Sequence, residues 1–331
     1  MIDKLPLANL PTPLQAADRL TRSWGGPRVW VKRDDLTGFG LSGNKVRKLE
    51  YHAAAARAAG ATTLITAGAA QSNHCRATAL AAAQLGLSCQ LFLRTPDGRP
   101  PAEPTGNNLL HQLSGASLHY ITPEQYAQRD RLMEELAGEL RPAGTAWVIP
   151  EGASDYLGML GFADAGRELA EQIEGWRKPP AVWHASSSGG TTAGLVMAAA
   201  QTRHSFVVMG TSVGDTVEEL NERLAAIWAE TSRHRSLPKN VRPPILTDAY
   251  VGGGYGVVDD AELSCQLEAT RLTGLLFDPV YTGKAIYALR EEIRRGGLDD
   301  FDDVVFWHTG GGFGVFAHDF SAVIGRSAAE R

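Results

Sequence analysis

The sequence has few cysteines and no cysteine or histidine spacing that suggests a bound metal. Its 331 residues include three cysteines, Cys75, Cys89 and Cys265, which lie far apart in the chain. Small secreted domains depend on dense cysteine pairing, so this scarcity argues against a disulfide framework and fits a reducing compartment. The nine histidines form no HExxH or similar pair, and we therefore predict no metal site.

Long apolar runs and an excess of basic residues are also missing. No stretch approaches the roughly 20 apolar residues of a membrane span. The first residues, MIDKLPLANLPTPL, carry acid and proline where a signal peptide needs a basic start and an apolar core. The formal net charge of -5 argues against nucleic acid as the main partner. We therefore expect a cytoplasmic protein that acts on a small molecule, without a nucleic-acid or membrane partner.

The sequence does contain a regular alternation of short apolar runs and longer helical patterns. Runs such as TTLITAG, SCQLFLR and AVWHAS are typical of strands, and helical patterns separate them. Strands separated by helices of ten or more residues imply parallel sheets covered by helices. The predicted fold class is α/β with two open, twisted parallel sheets, because the units are too many for one. The predicted helices span 44–59, 75–86, 123–140, 161–176, 191–202, 215–231, 260–273 and 283–295.

Polar turns that follow strands are the first candidates for a functional site, because ligands of open α/β sheets bind at the carboxyl ends of strands. Five such turns stand out: SGNK (42–45), AAQSNH (69–74), SSSGGTT (186–192), DPVYTGK (278–284) and HTGGG (308–312).

The turn SSSGGTT has the composition of a phosphate cradle. Gly189 and Gly190 let the backbone approach a ligand, the hydroxyls of Ser188 and Thr191 can donate, and the following helix presents unpaired amides. The turn lacks the lysine of a nucleoside-triphosphate P-loop. The alternative interpretation is a serine-capped helix after a flexible turn.

Lys45 follows three poor helix residues, SGN, and stands in the first turn of a predicted helix, where the helix dipole opposes its charge. It is either an ordinary surface lysine or an amine that forms a Schiff base with an aldehyde cofactor, which removes the charge. A phosphate cradle together with such a lysine is consistent with pyridoxal 5′-phosphate (PLP) as the cofactor, and neither feature alone identifies it.

The remaining turns allow two interpretations each. In QSNH, Ser72 or Asn73 caps a helix, or the turn binds a substrate carboxylate while Asn73 bonds a cofactor oxygen. Tyr281 is an acid or base, or an aromatic residue that packs at a helix start. Thr309 contacts a ring nitrogen, or belongs to a glycine-rich turn. The GGGFG segment lacks the GxGxxG spacing of a dinucleotide site.

Taken together and in this order, the turns resemble those of the PLP-dependent D-cysteine desulfhydrase / 1-aminocyclopropane-1-carboxylate (ACC) deaminase family. The resemblance runs nearly end to end through LPTPL, VKRDDLTG, GNKVRKLE, QSNHCR, GMLGF, SGGTTAGL, GYGV, DPVYTGKA and HTGG. It implies PLP fold type II, which is the tryptophan synthase β-like fold, with the cofactor in an interdomain cleft. The implied division is a large PLP-binding domain, 1–45 and 160–331, and a small α/β domain, 46–159, in a chain that forms a homodimer.

The resemblance also implies a role for each matching residue. Lys45 would carry PLP, Asn73 would bond the pyridine hydroxyl, and Thr309 would face the pyridine nitrogen. The remaining cofactor-binding residues, which would hold the phosphate, are Lys48, Ser188, Gly189, Gly190 and Thr191. The substrate-binding residues would be Ser72, Asn73, His74, Tyr255 and Tyr281. The catalytic residues would be Lys45, Ser72 and Tyr281.

Two departures from the family pattern concern the cofactor. Ser42 replaces the first glycine of the usual Gly-Gly pair, and Thr282 and Thr309 stand where ACC deaminases have glutamate and leucine. A carboxylate against the ring nitrogen keeps it protonated and strengthens the electron sink, which opening of a cyclopropane needs. Neutral threonines favour β-elimination of a good leaving group.

The predicted reaction is PLP-dependent β-elimination, with D-cysteine converted to pyruvate, hydrogen sulfide and ammonia. The alternatives are ACC deamination to 2-oxobutyrate, a lyase for another β-substituted amino acid such as L-cysteate, and a non-catalytic PLP-binding protein.

Overall fold

The structure is a computed structural model that describes residues 3–141, 143–321 and 324–325. Ten strands occur in the described residues: β1 (Leu14–Ala16), β2 (Arg28–Arg33), β3 (Ala61–Ala69), β4 (Ser88–Arg94), β5 (Ser117–Ile121), β6 (Thr145–Val148), β7 (Ala181–Ser186), β8 (Val207–Ser212), β9 (Ile245–Thr247) and β10 (Asp303–His308).

The strands are connected by eleven α-helices within the described residues: α1 (Asp18–Trp24), α2 (Lys45–Ala58), α3 (Asn73–Leu85), α4 (Gly106–Leu113), α5 (Pro123–Tyr126), α6 (Arg129–Leu140), α7 (Tyr156–Gln172), α8 (Gly190–Gln201), α9 (Val217–His234), α10 (Asp260–Thr273) and α11 (Thr282–Arg294). Short 3-10 helices span Asp34–Leu36, Glu151–Ala153 and Gly312–Ala317. None of the described helices is both long enough and apolar enough to cross a bilayer.

Two sheets form the framework. The larger has the strand order β1-β2-β10-β7-β8-β9 and the smaller has the order β5-β4-β3-β6. Among the described residues every neighbouring pair is parallel except β1 with β2. The smaller sheet uses strands from residues 61–148, and the chain on either side supplies the larger sheet. The predicted domain boundaries at 45/46 and 159/160 stay a prediction.

Glycines allow the helices beside the site to pack closely. A Cβ on Gly161 of α7 would lie 2.2 Å from the carbonyl oxygen of Arg47 in α2, and one on Gly194 of α8 would lie 2.6 Å from the carbonyl oxygen of Met159. Real Cβ atoms do not approach so closely, so both positions require glycine. These contacts fix α2, and with it Lys45 at its start, against α7 and α8.

Two helix predictions are wrong in detail, and local capping explains both. The predicted helix 123–140 is two helices, because Thr122 and Gln125 form a capping box around one turn and Arg129 donates to the Tyr126 carbonyl oxygen at 3.2 Å. Helix α7 begins five residues before the predicted 161, because Asp155 caps it by accepting from the Gly158 amide at 2.9 Å. The short elements β1, α1 and β9 were not predicted from the sequence.

A buried cluster of charged residues joins the neighbouring strands β2 and β10 of the larger sheet to α2 and α7. Asp34 accepts hydrogen bonds from Arg47 at 2.8 and 2.9 Å, from Thr12 at 2.9 Å and from the Trp307 indole at 2.9 Å. Glu168 pairs with Arg47 at 3.0 Å and with Lys32. Burial raises the pKa of Glu168, but the hydrogen bonds and charges of Arg47 and Lys32 outweigh it and lower that pKa to about 2.

Candidate active site

All five turns singled out in the sequence contribute to one cavity between the two sheets. Lys45 begins α2, Asn73 begins α3, Ser186–Gly189 follow β7, Tyr281 precedes α11 and Thr309 follows β10. Seven predicted site residues line it: Lys45, Asn73, Ser188, Gly189, Thr191, Tyr281 and Thr309. Five predicted residues do not line it: Lys48, Ser72, His74, Gly190 and Tyr255.

Lys45 presents an amine without a partner to this cavity. Its Nζ forms no hydrogen bond and no ion pair with any described residue. Burial lowers the pKa of Lys45 to about 8, against a smaller opposing effect of the Glu151 charge. A larger fraction of this amine is therefore neutral near pH 7 than of an ordinary lysine, and a neutral amine can attack an aldehyde.

The turn that contains Ser188 forms a cradle, and Lys48 and Ser154 pack against its inner side. Gly189 has φ +87°, and the Gly190 amide donates to the Ser154 hydroxyl at 3.3 Å. Ser154 contacts the Ser188 hydroxyl at 2.7 Å and accepts from Lys48 Nζ at 3.0 Å. A Cβ on Gly190 would lie 2.9 Å from Lys48 Nζ. Burial, followed by the Lys45 charge, holds the pKa of Lys48 well below its usual value in the absence of a ligand. The cradle therefore offers the Lys48 amine, hydroxyls and helix amides, which fit a phosphate group.

Asn73 lines the cavity, whereas the adjacent residues Ser72 and His74 do not line it and bond to other groups. The Asn73 Oδ1 accepts from Asn107 at 2.9 Å, which leaves its amide nitrogen without a partner among the described residues. Ser72 caps α3 by accepting from the Cys75 amide at 3.1 Å. His74 Nε2 contacts the Thr66 hydroxyl at 2.8 Å, and burial, followed by the Lys45 charge, holds the pKa of His74 well below its usual value. The His74 ring is therefore neutral.

Two tyrosine hydroxyls meet at the edge of the cavity. Tyr255 and Tyr281 are 2.5 Å apart, oxygen to oxygen. Burial raises the pKa of Tyr255 to about 12 and raises the pKa of Tyr281 well above its usual value. Both phenols are protonated at neutral pH, so Tyr281 can act as a proton donor and can regain its proton through Tyr255.

Sequence reasoning missed Asp278, a buried carboxylate in the cavity wall. Its Oδ1 accepts from the Thr282 amide and hydroxyl at 2.9 and 2.8 Å, and its Oδ2 accepts from the Val280 and Tyr281 amides at 3.1 and 2.9 Å. Burial raises the pKa of Asp278. Thr282 does not line the cavity and instead donates hydrogen bonds to Asp278. Of the two threonines, Thr309 is the one that lines the cavity.

Sequence reasoning also missed two polar residues beside the predicted ones, and both lie beyond a short 3-10 helix after a strand. Ser154 lies in the turn after β6, and Asn44 precedes Lys45 and donates to the Thr191 hydroxyl at 3.2 Å. Ser42, in place of the usual glycine, donates from its hydroxyl to the Asp35 carbonyl oxygen at 2.8 Å, a bond that glycine cannot make. Within the described ranges no cluster of three His, Cys, Asp or Glu residues could hold a metal ion.

The loops that carry Lys45 and Thr309 touch backbone to backbone. Gly43 has φ +107° and Gly310 has φ +89°. A Cβ on Gly310 would lie 2.5 Å from the Gly43 Cα, and the Asn44 amide donates to the Thr309 carbonyl oxygen at 3.0 Å. Only glycine fits at both positions, and the contact sets the spacing between Lys45 and Thr309.

The chain is similar to known proteins over most of its length. Residues 5–310 match the family described as pyridoxal-phosphate dependent enzyme. A solved structure described as an ACC deaminase homologue is 34% identical, with a TM-score of 0.86 over 96% of this chain and 94% of that chain. A fungal L-serine ammonia-lyase from Rhizomucor miehei is 16% identical, with a TM-score of 0.66 over 97% and 98% of the two chains. A threonine deaminase from T.th. is 19% identical, with a TM-score of 0.65 over 94% of each.

Proposed function

Because the chain belongs to the family of pyridoxal-phosphate dependent enzymes, we propose that it eliminates the β-substituent of a small amino acid, with D-cysteine converted to pyruvate, hydrogen sulfide and ammonia. Family membership confirms the predicted cofactor, PLP, and the neighbours confirm the predicted α/β fold of type II. The observation that carries the proposal is the unpartnered Lys45 amine beside the Ser188 cradle and the protonated Tyr281.

The residues of the cavity fit the cofactor and divide its binding among them. Ser188, Gly189 and Thr191, with Lys48 and Ser154 behind them, would hold the phosphate. The free amide nitrogen of Asn73 would donate to the ring hydroxyl oxygen. When bound, the cofactor supplies an electron sink for the pair of electrons left on Cα after a proton is removed.

Lys45 and Tyr281 would move the protons of the reaction. The Lys45 amine, with its lowered pKa, accepts the Cα proton. Tyr281 then donates to the departing β-substituent, and the Tyr255 hydroxyl 2.5 Å away restores its proton. Ser72, at the start of α3, is proposed to position the substrate carboxylate beside the helix amides.

The group facing the ring nitrogen favours elimination over ring opening. Thr309 lines the cavity and carries no charge, while the carboxylate of Asp278 uses both oxygens to accept hydrogen bonds from its own loop. A neutral group leaves the sink weak, which suffices when a good leaving group departs from the β-carbon.

Turnover of a substrate panel tests the proposal. The purified enzyme with PLP should release pyruvate and sulfide from D-cysteine and pyruvate from β-chloro-D-alanine, while ACC should give no 2-oxobutyrate above a protein-free control. The 34% identity to an ACC deaminase homologue makes ACC the competing substrate. Formation of 2-oxobutyrate faster than pyruvate would replace elimination by ACC deamination, and no product from any of the compounds would refute both.

The rate at which the apoprotein captures PLP should depend on pH with a midpoint near 8. The Lys45 amine must be neutral to react, and its pKa of about 8 lies below the ordinary value of 10.5. The rate should therefore rise as pH increases through 8 and level off above it, as measured by borohydride reduction and mass spectrometry of the modified peptide. Glu151→Gln should lower the midpoint, because the Glu151 charge raises this pKa. A rate that still rises at pH 10 would contradict the shift.

We further propose a homodimer that works in the reducing cytoplasm. The three cysteines are free and buried, which suits a reducing compartment.

Phe39, Leu113 and Phe316 are 88%, 71% and 70% exposed. They lie on neighbouring segments, since Phe39 contacts Phe313 and α4 packs on the Gly312–Ala317 turn. An exposed apolar patch of this kind suits a subunit interface, and the mass of the protein in solution tests the proposal.

A further inference from the structure

Helix α4 begins beside the turn that carries Asn73, and Gln71 of that turn joins the two. The Gln71 side chain accepts from the Asn107 backbone amide at 2.9 Å and donates to the Thr105 carbonyl oxygen at 3.0 Å. Both of these groups belong to the start of α4. The first residues of α4 are therefore held at a fixed place next to Asn73.

Asn107 is fully buried, and its side-chain amide bridges the main chain of this turn to the Asn73 side chain. The Asn107 Nδ2 donates to the Gln71 carbonyl oxygen at 2.9 Å and to the Asn73 Oδ1 at 2.9 Å. An amide nitrogen has two hydrogens, so both are used. The Asn107 Oδ1, in contrast, is buried without a hydrogen-bond partner among the described residues. Because an unpaired buried acceptor costs free energy, the two bonds of the nitrogen are what this side chain contributes.

The Gln71 carbonyl oxygen decides which way both amides point. A carbonyl oxygen only accepts, so it must face the nitrogen of Asn107 and not its oxygen. That nitrogen also needs an acceptor on Asn73, so Asn73 presents its Oδ1 to Asn107 and leaves its Nδ2 for the cavity. Reversal of either amide would place two acceptors or two donors against each other.

The next residue in α4 shows that burial alone does not give this role. Asn108 is also fully buried, but its Nδ2 donates to the Tyr120 hydroxyl at 3.1 Å. Neither asparagine lines the cavity. Asn107 can therefore influence a ligand there only through Asn73.

We propose that Asn107 is a positioning residue that fixes the Asn73 amide as a hydrogen-bond donor toward the ring hydroxyl oxygen of the cofactor. A fixed donor binds this oxygen best when the oxygen carries no proton, because the hydrogen bond is then charge-assisted. The inference rests on the contact between Asn73 and the ring oxygen that is part of the proposed function, and it does not depend on the substrate.

The test measures the equilibrium binding of two aldehydes to the apoprotein by absorbance titration, without any substrate. The aldehydes are PLP and 3-deoxypyridoxal 5′-phosphate, which lacks the ring hydroxyl. Asn73→Ala should lower the affinity for PLP about 10- to 100-fold, the effect of losing a hydrogen bond to a charged oxygen. Asn107→Leu should lower it about 3- to 10-fold, because Asn73 remains but its amide is free to rotate. Asn107→Leu should change the affinity for the analogue less than about 2-fold, which also shows that the variant is folded.

A double variant and a matched control separate positioning from a general structural role. If Asn107 acts through Asn73, the variant with both changes should bind PLP as Asn73→Ala alone does, since no amide is left to orient. Asn108→Leu, the same change at the neighbouring buried asparagine, should leave the preference for PLP over the analogue unchanged.

The inference and the proposed contact would fail in different ways. Asn107→Leu that weakens both aldehydes equally, or that adds its full effect to Asn73→Ala, would refute the positioning role and leave the contact standing. An Asn73→Ala protein that keeps the wild-type preference for PLP would refute the contact and the inference with it. If Asn107→Leu does not fold, Asn107→Asp, which has the same shape but cannot supply both donors, is measured in its place with the same expectations.

Discussion

Replacing Lys45 with alanine is expected to abolish both the bound cofactor chromophore and turnover. The Lys45 Nζ is the amine in the cavity wall without a partner, and it would serve both as the attachment point and as the base. Loss of a positioned base alone costs about 10²- to 10⁴-fold in rate, and loss of the covalent link adds to it. The visible absorbance of the purified protein and pyruvate formation from D-cysteine measure the two effects.

Two further variants show whether the effect is specific to this amine. Lys45→Arg keeps a positive charge but cannot form the Schiff base, so it should fail in the same way as alanine. Lys48→Met removes a neighbouring buried amine that donates to Gly152 and Ser154. It should weaken PLP binding and leave the absorbance recoverable at high PLP concentration. Full activity in Lys45→Ala would remove the basis of the proposed function.

Replacing Asp34 with asparagine is expected to destabilise the protein by about 3–5 kcal/mol, the usual effect of removing one partner of a buried ion pair. Asp34 is fully buried and accepts hydrogen bonds from Arg47, Thr12 and Trp307. Asparagine would leave the Arg47 charge partly uncompensated and would turn an N–H group toward other donors. The shift of the urea unfolding midpoint, followed by tryptophan fluorescence, measures the loss.

The adjacent carboxylate supplies a matched control for this prediction. Asp35 pairs with Arg33 at 2.7 Å near the surface, where the two side chains are 21% and 14% exposed. Surface ion pairs contribute little, so Asp35→Asn should change the unfolding free energy by less than about 1 kcal/mol. An Asp34→Asn protein as stable as Asp35→Asn would show that the buried cluster does not hold β2, β10 and α2 together.

The fold and much of the cavity could be predicted from the sequence because parallel α/β units place the ends of their strands together. The turns at Lys45, Asn73, Ser188, Tyr281 and Thr309 meet for that reason. The start of α7 could not be predicted from hydrophobic spacing, because a cap at Asp155 and tight glycine contacts decide it.

The direction of individual side chains was also beyond the sequence. Thr282 does not line the cavity, because its hydroxyl donates to Asp278. The sequence shows that Asp278 is nearby but does not show that the two side chains bond.

The crossing of Gly43 and Gly310 restricts how the enzyme can be re-engineered. Main chain meets main chain there, with 2.5 Å between the Gly43 Cα and the place where a side chain on Gly310 would start. Libraries that randomise these two codons would return mostly misfolded clones. Diversity aimed at new substrates is better introduced at Arg94, Tyr126 and Arg129, where the walls are side chains around open space.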